Sequence, residues 1–303
     1  MNNNILVTGA SGLLGRYLLT YSKRPVVGTY WKHPFESGTH IAAWLSLHAQ
    51  MDIDGLLHAI KPRVVIHCAG QGDVDECQRR HRKSRIINVL GTAHLAKRAM
   101  YYGCEKFVYL STNAVFQGNN APYFEDDERK PVNVYGTQKM EAENEVFTIC
   151  GDKALIVRPI LLYGWPRDGG RHNWATRIYE RLTDGAPVRM VTDRVTQPTY
   201  AGDVARAIWR LIDKEASGTY HVGGLDICSL YSFAMETAAV FGLDKNLISP
   251  ASSSEFPGLA PRPVNTTYNL DRLYNTIEFF PLGIRDGLVR MRDEQIYRTK
   301  NPL

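Results

Sequence analysis

Through the first half of the chain, short apolar runs alternate with longer stretches of helical period. Ile5-Leu6-Val7, Val26-Val27-Gly28-Thr29-Tyr30, Val64-Val65-Ile66-His67, Lys106-Phe107-Val108-Tyr109-Leu110 and Leu155-Ile156-Val157-Arg158 are brief and largely apolar, as strands buried on both faces are. Between them, the run from Arg16 to Leu19, residues 54–60 ahead of Pro62, residues 82–101 with Asn88 and Gly91 inside, and the run from Met140 to Glu145 read as helices. Alternation of this kind predicts an α/β fold, a doubly wound parallel sheet. After Arg158-Pro159 the alternation breaks. A polar, glycine-containing loop at 168–172 leads into a helix ending near Leu182, and further helices are predicted over 203–212, 229–241 and 286–295. Residues 249–263 are rich in Ser, Pro and Gly and read as a loop, either a mobile flap or a plain surface connection.

The first apolar run is followed by Thr8-Gly9-Ala10-Ser11-Gly12-Leu13-Leu14-Gly15 and then by a helix. Strand, glycine turn and helix together form the context in which a pyrophosphate meets a helix N-terminus. Gly9 permits the tight turn, Gly12 lets a ligand approach the backbone, and Gly15 lets the helix pack closely on the sheet; Ser11, Leu13 and Leu14 complete the candidate loop. The Gly-x-x-Gly-x-x-Gly spacing differs from the commonest dinucleotide fingerprint. The second run ends in Trp31-Lys32-His33 with no acid to hold an adenosine ribose. Lys32 there favours a 2′-phosphate, so NADP(H) is expected over NAD(H). Cys68-Ala69-Gly70, small residues at the end of the third run, suit passage of a cofactor across the sheet edge. Residues 1–160 are therefore expected to form a Rossmann-type nucleotide-binding domain, to which the chain returns around 188–215. Residues 161–303 are expected to form mainly a smaller α/β substrate-binding domain.

Composition narrows the picture a little. The chain has 303 residues, 44% hydrophobic and 22% charged, as ordinary globular proteins do. No apolar run reaches the roughly 18 residues of a membrane span, and the N-terminus enters a strand directly, so a cytoplasmic protein without a leader is expected. The five cysteines are scattered, with no Cys-x-x-Cys spacing; reduced thiols are expected, with neither a disulfide frame nor a metal site. The formal charge is +5, and its densest basic run, Arg79-Arg80-His81-Arg82-Lys83, lacks interleaved aromatics. That run reads as a solvated helix face and not as a nucleic-acid contact.

The chemistry-bearing stretch is Val134-Tyr135-Gly136-Thr137-Gln138-Lys139, with a hydroxyl, Thr112, at the end of an earlier strand. Four residues apart, Tyr135 and Lys139 share a helix face. A nearby ammonium favours a phenolate and brings a phenol closer to the range where it exchanges protons both ways. With the glycine loop, Ser111-Thr112 and Tyr135-x-x-x-Lys139, the chain resembles the extended short-chain dehydrogenase/reductases. Val74-Asp75-Glu76-Cys77, the run from Ser111 to Gly118, Pro122-Tyr123-x-Glu125-x-Asp127, Asn133-Val134-Tyr135-Gly136, Gln197-Pro198-Thr199-Tyr200 with Asp203, and Gly218-Thr219-Tyr220-His221-Val222 are similar to its dTDP-4-dehydrorhamnose reductase branch. That resemblance implies that Tyr135 protonates the substrate oxygen as hydride arrives. It also implies that Lys139 holds the cofactor ribose and that Thr112 hydrogen-bonds the reacting oxygen.

It further implies a nucleotide-linked deoxysugar with a 4-keto group as substrate. Val74, Asn113, Arg171, Asn173, Gln197 and Arg262 are then candidates for sugar and phosphate contacts. Asn113-Ala114 stands where the branch has Asp-Tyr, Leu161 where it has tryptophan, and Trp44-Leu45-Ser46 where it has an acid near the adenine. The identity of the sugar stays open. A sugar-nucleotide epimerase and a non-catalytic, cofactor-binding regulatory subunit are the competing readings. The partners expected are a nucleotide-sugar and a second copy of the chain, not nucleic acid or a membrane.

Overall fold

The structure, a computed structural model, describes residues 4–300 except 37, 257 and 259, with side chains as far as 295. The N-terminal Met1-Asn2-Asn3 and two positions of the 249–263 loop thus lie outside the described residues. Seven strands, β1 (Ile5–Thr8), β2 (Val26–Tyr30), β3 (Ile41–Trp44), β4 (Val64–His67), β5 (Lys106–Leu110), β6 (Ala154–Pro159) and β7 (Gly218–Val222), form one sheet in the order β7-β6-β5-β4-β1-β2-β3. Every pairing in it is parallel. The strand order reverses at β1, which lies between β2 and β4, and in open α/β sheets ligands bind at the strand C-termini beside such a switch point.

The helices include α1 (Leu13–Tyr21), α2 (Gln50–Ile60), α3 (Val74–Arg79), α4 (Thr92–Tyr101), α5 (Val134–Cys150), α6 (Trp174–Thr183), α7 (Ala201–Asp213), α8 (Leu230–Phe241) and α9 (Ile284–Lys300), with shorter ones at His81–Arg85 and Asp271–Ile277. Successive strand side chains point to opposite faces, and the core splits accordingly. Ile5 and Val7 pack with Leu14, Leu18, Val204, Ile208 and Leu211 on one face. Leu6, Val65 and Phe107 pack with Ile53, Leu57, Leu95, Ala142 and Val146 on the other. This is the doubly wound, Rossmann-type sheet that the alternation predicts.

Two elements differ from the sequence reading. The helix expected over 82–101 is a short α-helix, His81–Arg85, running through a π-turn, Ile86–Gly91, into α4. A π-turn adds one residue to the helical repeat and commonly marks a functional site. The edge strand β3 has no signal in the apolar pattern, because Ile41 is 61% and Trp44 49% exposed.

Beyond β6 the chain builds three two-stranded pieces outside the central sheet. Leu162–Tyr163 pairs with Thr199–Tyr200, Val188–Val191 with Ile248–Ala251, and Val195–Thr196 with Cys228–Ser229. It comes back to the sheet with α7, whose Val204 and Ile208 share the core with α1, and with β7 on β6. No helix among the described residues is long and apolar enough to cross a membrane.

Candidate active site

The glycine loop sits at the switch point. Gly9 has φ +71°, and a Cβ there would lie 2.8 Å from the Ala69 nitrogen, so the β1 and β4 loops touch backbone to backbone. At Gly15 a Cβ would come within 2.3 Å of the Gly9 carbonyl oxygen, which forces α1 directly onto the turn. Gly12 is different: it is exposed and caps α1 without a side-chain cap, and the first turn of α1 carries no acid. The first amides of α1 are therefore left for an anion such as a pyrophosphate. Ser11 and Leu13 are half-buried beside it, and Leu14 is buried in the core.

The neighbouring strand ends fit a cofactor path. Lys32 is exposed just past β2, with its ammonium 4.4 Å from the Trp31 ring centre. Gly70 is exposed and Ala69 half-buried. Burial pushes the Cys68 thiol up to about 12, so this cysteine is a packing group and not a nucleophile. Beneath the loop, His67 is fully buried, with Nδ1 2.6 Å from the Thr8 hydroxyl and Nε2 2.9 Å from that of Thr92. Thr8 Oγ1 in turn accepts from the Ala69 amide. Burial, and secondarily the Lys139 charge, lowers the imidazole to about 3, so it is neutral and ties β1 to β4 and α4.

Thr112, Tyr135 and Lys139 come together as the sequence predicts. Thr112 lies just past β5; its hydroxyl donates to Asn113 Oδ1 at 3.3 Å and accepts from the Ala114 amide at 3.2 Å, on a turn that Gly136 of α5 meets backbone to backbone. The α5 N-cap, Asn133, accepts from the Gly136 amide at 2.8 Å and so fixes the first turn that carries the tyrosine. Burial raises the Tyr135 phenol to about 12, Thr112 and the Arg171 charge pulling the other way. The phenol is thus a protonated donor at neutral pH, although its side chain still reaches the cleft and is only half-buried. The expected lowering by Lys139 is not among the influences on the phenol. Its ammonium donates to the Leu110 carbonyl and lies 4.1 Å from the Tyr109 ring centre. Burial lowers Lys139 to about 8, and Glu143, one turn further along α5, acts against that.

Two residues that sequence reasoning passed over frame this group. Asn88, buried in the π-turn, accepts from the Gln71 amide at 2.8 Å and donates to the Gln71 carbonyl and to Gln138 Oε1. It therefore fixes the β4 loop against α5. Glu143 is fully buried and takes both prongs of the Arg158 guanidinium at 2.9 and 2.8 Å. Its spacing of four from Lys139 is the one signal the sequence offered for it.

The substrate-side candidates divide. Val74 is half-buried at the start of α3, and Asn113 Nδ2 donates to the Thr266 hydroxyl beside Thr112. Arg171 reaches across the cleft to Asp73 at 3.1 Å. Arg262 meets Asp75 at 3.0 Å and, with the Ala260 amide, holds that carboxyl below its usual range. Gln197 and Asn173 have their side-chain amides engaged within the fold. Gln197 is buried, donating to the Gly224 carbonyl at 2.8 Å and accepting from the Tyr268 amide at 2.9 Å, so its amide is used within the fold. Asn173 is the α6 N-cap in a capping box with Thr176, and its Nδ2 donates to the Gly164 carbonyl.

A family model described as the RmlD substrate binding domain matches residues 3–296. The chain is 30% identical to the methionine adenosyltransferase 2 subunit beta of Danio rerio, over 97% of this chain and 93% of that one. It is 27% identical to a dTDP-4-dehydrorhamnose reductase of Mycolicibacterium smegmatis, over 90% of this chain and 80% of that one. Among solved structures it resembles a dTDP-4-dehydrorhamnose reductase of Bacillus anthracis in complex with NADP, with a TM-score of 0.85 and 26% identity over 97% of this chain and 100% of that one. With the glycine loop at the switch point and the Thr112–Tyr135–Lys139 group beside it, the chain belongs to the RmlD substrate binding domain family, within the extended short-chain dehydrogenase/reductases, a class of NAD(P)-dependent oxidoreductases.

Proposed function

We propose that the chain reduces a 4-keto group on a nucleotide-linked deoxysugar, with NADPH as reductant and Tyr135 as general acid. The observation that carries this reading is the placement of Thr112 just past β5, on a turn packed backbone to backbone against the first turn of α5, which bears Tyr135, with Lys139 one helical turn further along. The nicotinamide supplies the hydride. As the ketone gains it, alkoxide charge develops on the oxygen, and donors fixed around that oxygen stabilise the transition state more than the ground state. Tyr135, protonated at neutral pH, gives up its proton there while Thr112 orients the oxygen. The phenol is protonated at neutral pH, as a proton donor must be, and the alkoxide formed on hydride addition is basic enough to take its proton. Lys139, freed from the Leu110 carbonyl, holds the cofactor ribose. The amides of Leu13 and Leu14 would receive the pyrophosphate, the Gly12 amide being held by the Gly9 carbonyl, and Lys32 would meet the 2′-phosphate, which favours NADP(H) over NAD(H).

NADPH consumption across a panel of dTDP-linked 4-keto-6-deoxyhexoses tests this reading. Net oxidation with one member supports it, and the absence of turnover across the panel overturns it. The similarity to a methionine adenosyltransferase 2 subunit beta favours a second reading, a cofactor-binding regulatory subunit. In that case the protein would co-purify with a large enzyme partner, and Tyr135→Phe would leave its regulatory effect intact.

A further inference from the structure

The buried amide of Asn133 serves two elements at once. Its Oδ1 accepts from the Gly136 amide and caps the helix carrying Tyr135, while its Nδ2 donates to the Pro261 carbonyl at 2.9 Å. The two partners fix the orientation of the amide: the Gly136 N–H requires an acceptor, and the Pro261 carbonyl requires a donor. Residue 261 belongs to a strap, residues 260–264, that lies against elements of the first half of the chain. At its start Ala260 donates to Asp75 Oδ1 at 3.0 Å, and Arg262 pairs with Asp75 Oδ2. Further on, the strap presses on Gly118, which has φ +95° and where a Cβ would lie 2.6 Å from the Pro263 side chain. The Asn265 amide then donates to the Gly118 carbonyl, and Thr266 Oγ1 accepts from Asn113, the neighbour of Thr112. The strap therefore touches α3, the cap of α5 and Gly118, and Thr266 just beyond it meets the turn after Thr112.

We propose that Asn133 is a positioning residue that couples this strap to the start of α5, so that docking of the strap over a nucleoside-diphosphate sugar and placement of the Tyr135 phenol are set through one side chain. The inference rests on the reductase reading above. Asp75 and the Gly118 turn anchor the strap to their own elements; of the strap's ties described here, the one at Asn133 reaches the cap of the helix that bears the acid. An aspartate or a serine at 133 keeps the cap, since both accept from the helix amide, but neither donates to Pro261.

The test compares wild type with Asn133→Asp and Asn133→Ser. Hydrogen exchange is followed over residues 260–268 and 134–138 in the NADP+ complex, with and without dTDP as the probe. Steady-state kinetics follow on whichever ketosugar the wild type reduces. Both variants are expected to keep the NADP+ affinity of the wild type and to melt only a few degrees below it, Asn133→Asp the lower of the two because its carboxylate faces the Pro261 carbonyl. Strap exchange should speed up by about fivefold or more, the loss of one hydrogen bond. Added dTDP should slow exchange at 134–138 in the wild type and not in the variants, and KM for the ketosugar should rise more than kcat falls. Unchanged strap exchange in both variants overturns the proposal, as does dTDP protection of 134–138 that persists without the Pro261 bond. The exchange measurement needs no turnover, so a failed reductase reading shows as an inactive wild type, separately from a failed coupling.

Discussion

Gly136 and Ala114 are in backbone contact: a Cβ on Gly136 would lie 2.1 Å from the Ala114 carbonyl oxygen. The turn Asn113–Val115 follows directly after Thr112, and Gly136 follows Tyr135, so this contact sets the approach of the two hydroxyls. An alanine inside a helix ordinarily gains about 1 kcal/mol over glycine. Here the clash is with backbone and cannot be relieved by a rotamer change. Gly136→Ala is expected to destabilise the protein by about 1–3 kcal/mol and to cut turnover on the order of a hundredfold, because α5 must shift away from Thr112. Thermal unfolding with steady-state kinetics checks both; an unaltered rate would show that the contact does not position the phenol.

Removing the proton donor alone separates chemistry from binding. Tyr135→Phe keeps the ring in place and deletes the hydroxyl near Thr112. NADPH affinity is expected to stay within about twofold of wild type while kcat falls by about 100- to 10,000-fold, the range for a lost general acid. Fluorescence titration and turnover rates together make the measurement.

Cofactor preference is expected to reside at Lys32. The side chain is exposed past β2 and stacked near Trp31, free to swing to a phosphate. Lys32→Ala is expected to weaken NADPH binding by about tenfold or more, the worth of a charge-assisted hydrogen bond, and to leave NADH binding nearly unchanged. Equal losses for both cofactors would place the 2′-phosphate elsewhere.

Acid sensitivity follows from His67. Its imidazole is lowered from 6.5 to about 3 by burial. Between those values the unfolded chain binds a proton that the folded one does not, so stability rises with pH through that window and drops on acidification. The contribution is fully present above about pH 6.5 and declines by up to about 1.4 kcal/mol per pH unit below it. Urea unfolding at several pH values should show this slope. His67→Gln removes the titrating group and should flatten the slope by one proton; an unchanged slope would assign it to other groups.

Much of the nucleotide half was legible because its strands are buried on both faces and read as continuous apolar runs; Ile5, Leu6 and Val7 are at most 2% exposed. The glycine loop was legible for the same kind of reason, since Gly9 and Gly15 meet constraints that a side chain would break. Strand β3 was not, because an exposed edge strand has no apolar face to announce it. Gln197 and Asn173 looked like substrate groups because a polar residue near a cleft carries no mark of its partner. Their partners, the Gly224 and Gly164 carbonyls, come from distant turns of the chain. Asn88 was hidden by the π-turn, which shifts helical phase in a way that periodicity does not register. Arg171 and Arg262, candidates for sugar and phosphate contacts from the sequence, pair in the structure with Asp73 and Asp75. Their role toward a diphosphate would require an exchange of partners.

If hydride passes from the nicotinamide to the sugar while Tyr135 supplies the proton, a label on the cofactor must appear on the sugar. NADPH deuterated at C4 of the nicotinamide is mixed with the protein and a dTDP-linked 4-keto-6-deoxyhexose, and the sugar product is analysed for position and amount of label. The account predicts one deuterium at C4 of the sugar for each NADP+ formed, with transfer nearly abolished in Tyr135→Phe. An isomerised sugar without net NADPH consumption, or label transfer undiminished in Tyr135→Phe, would contradict it.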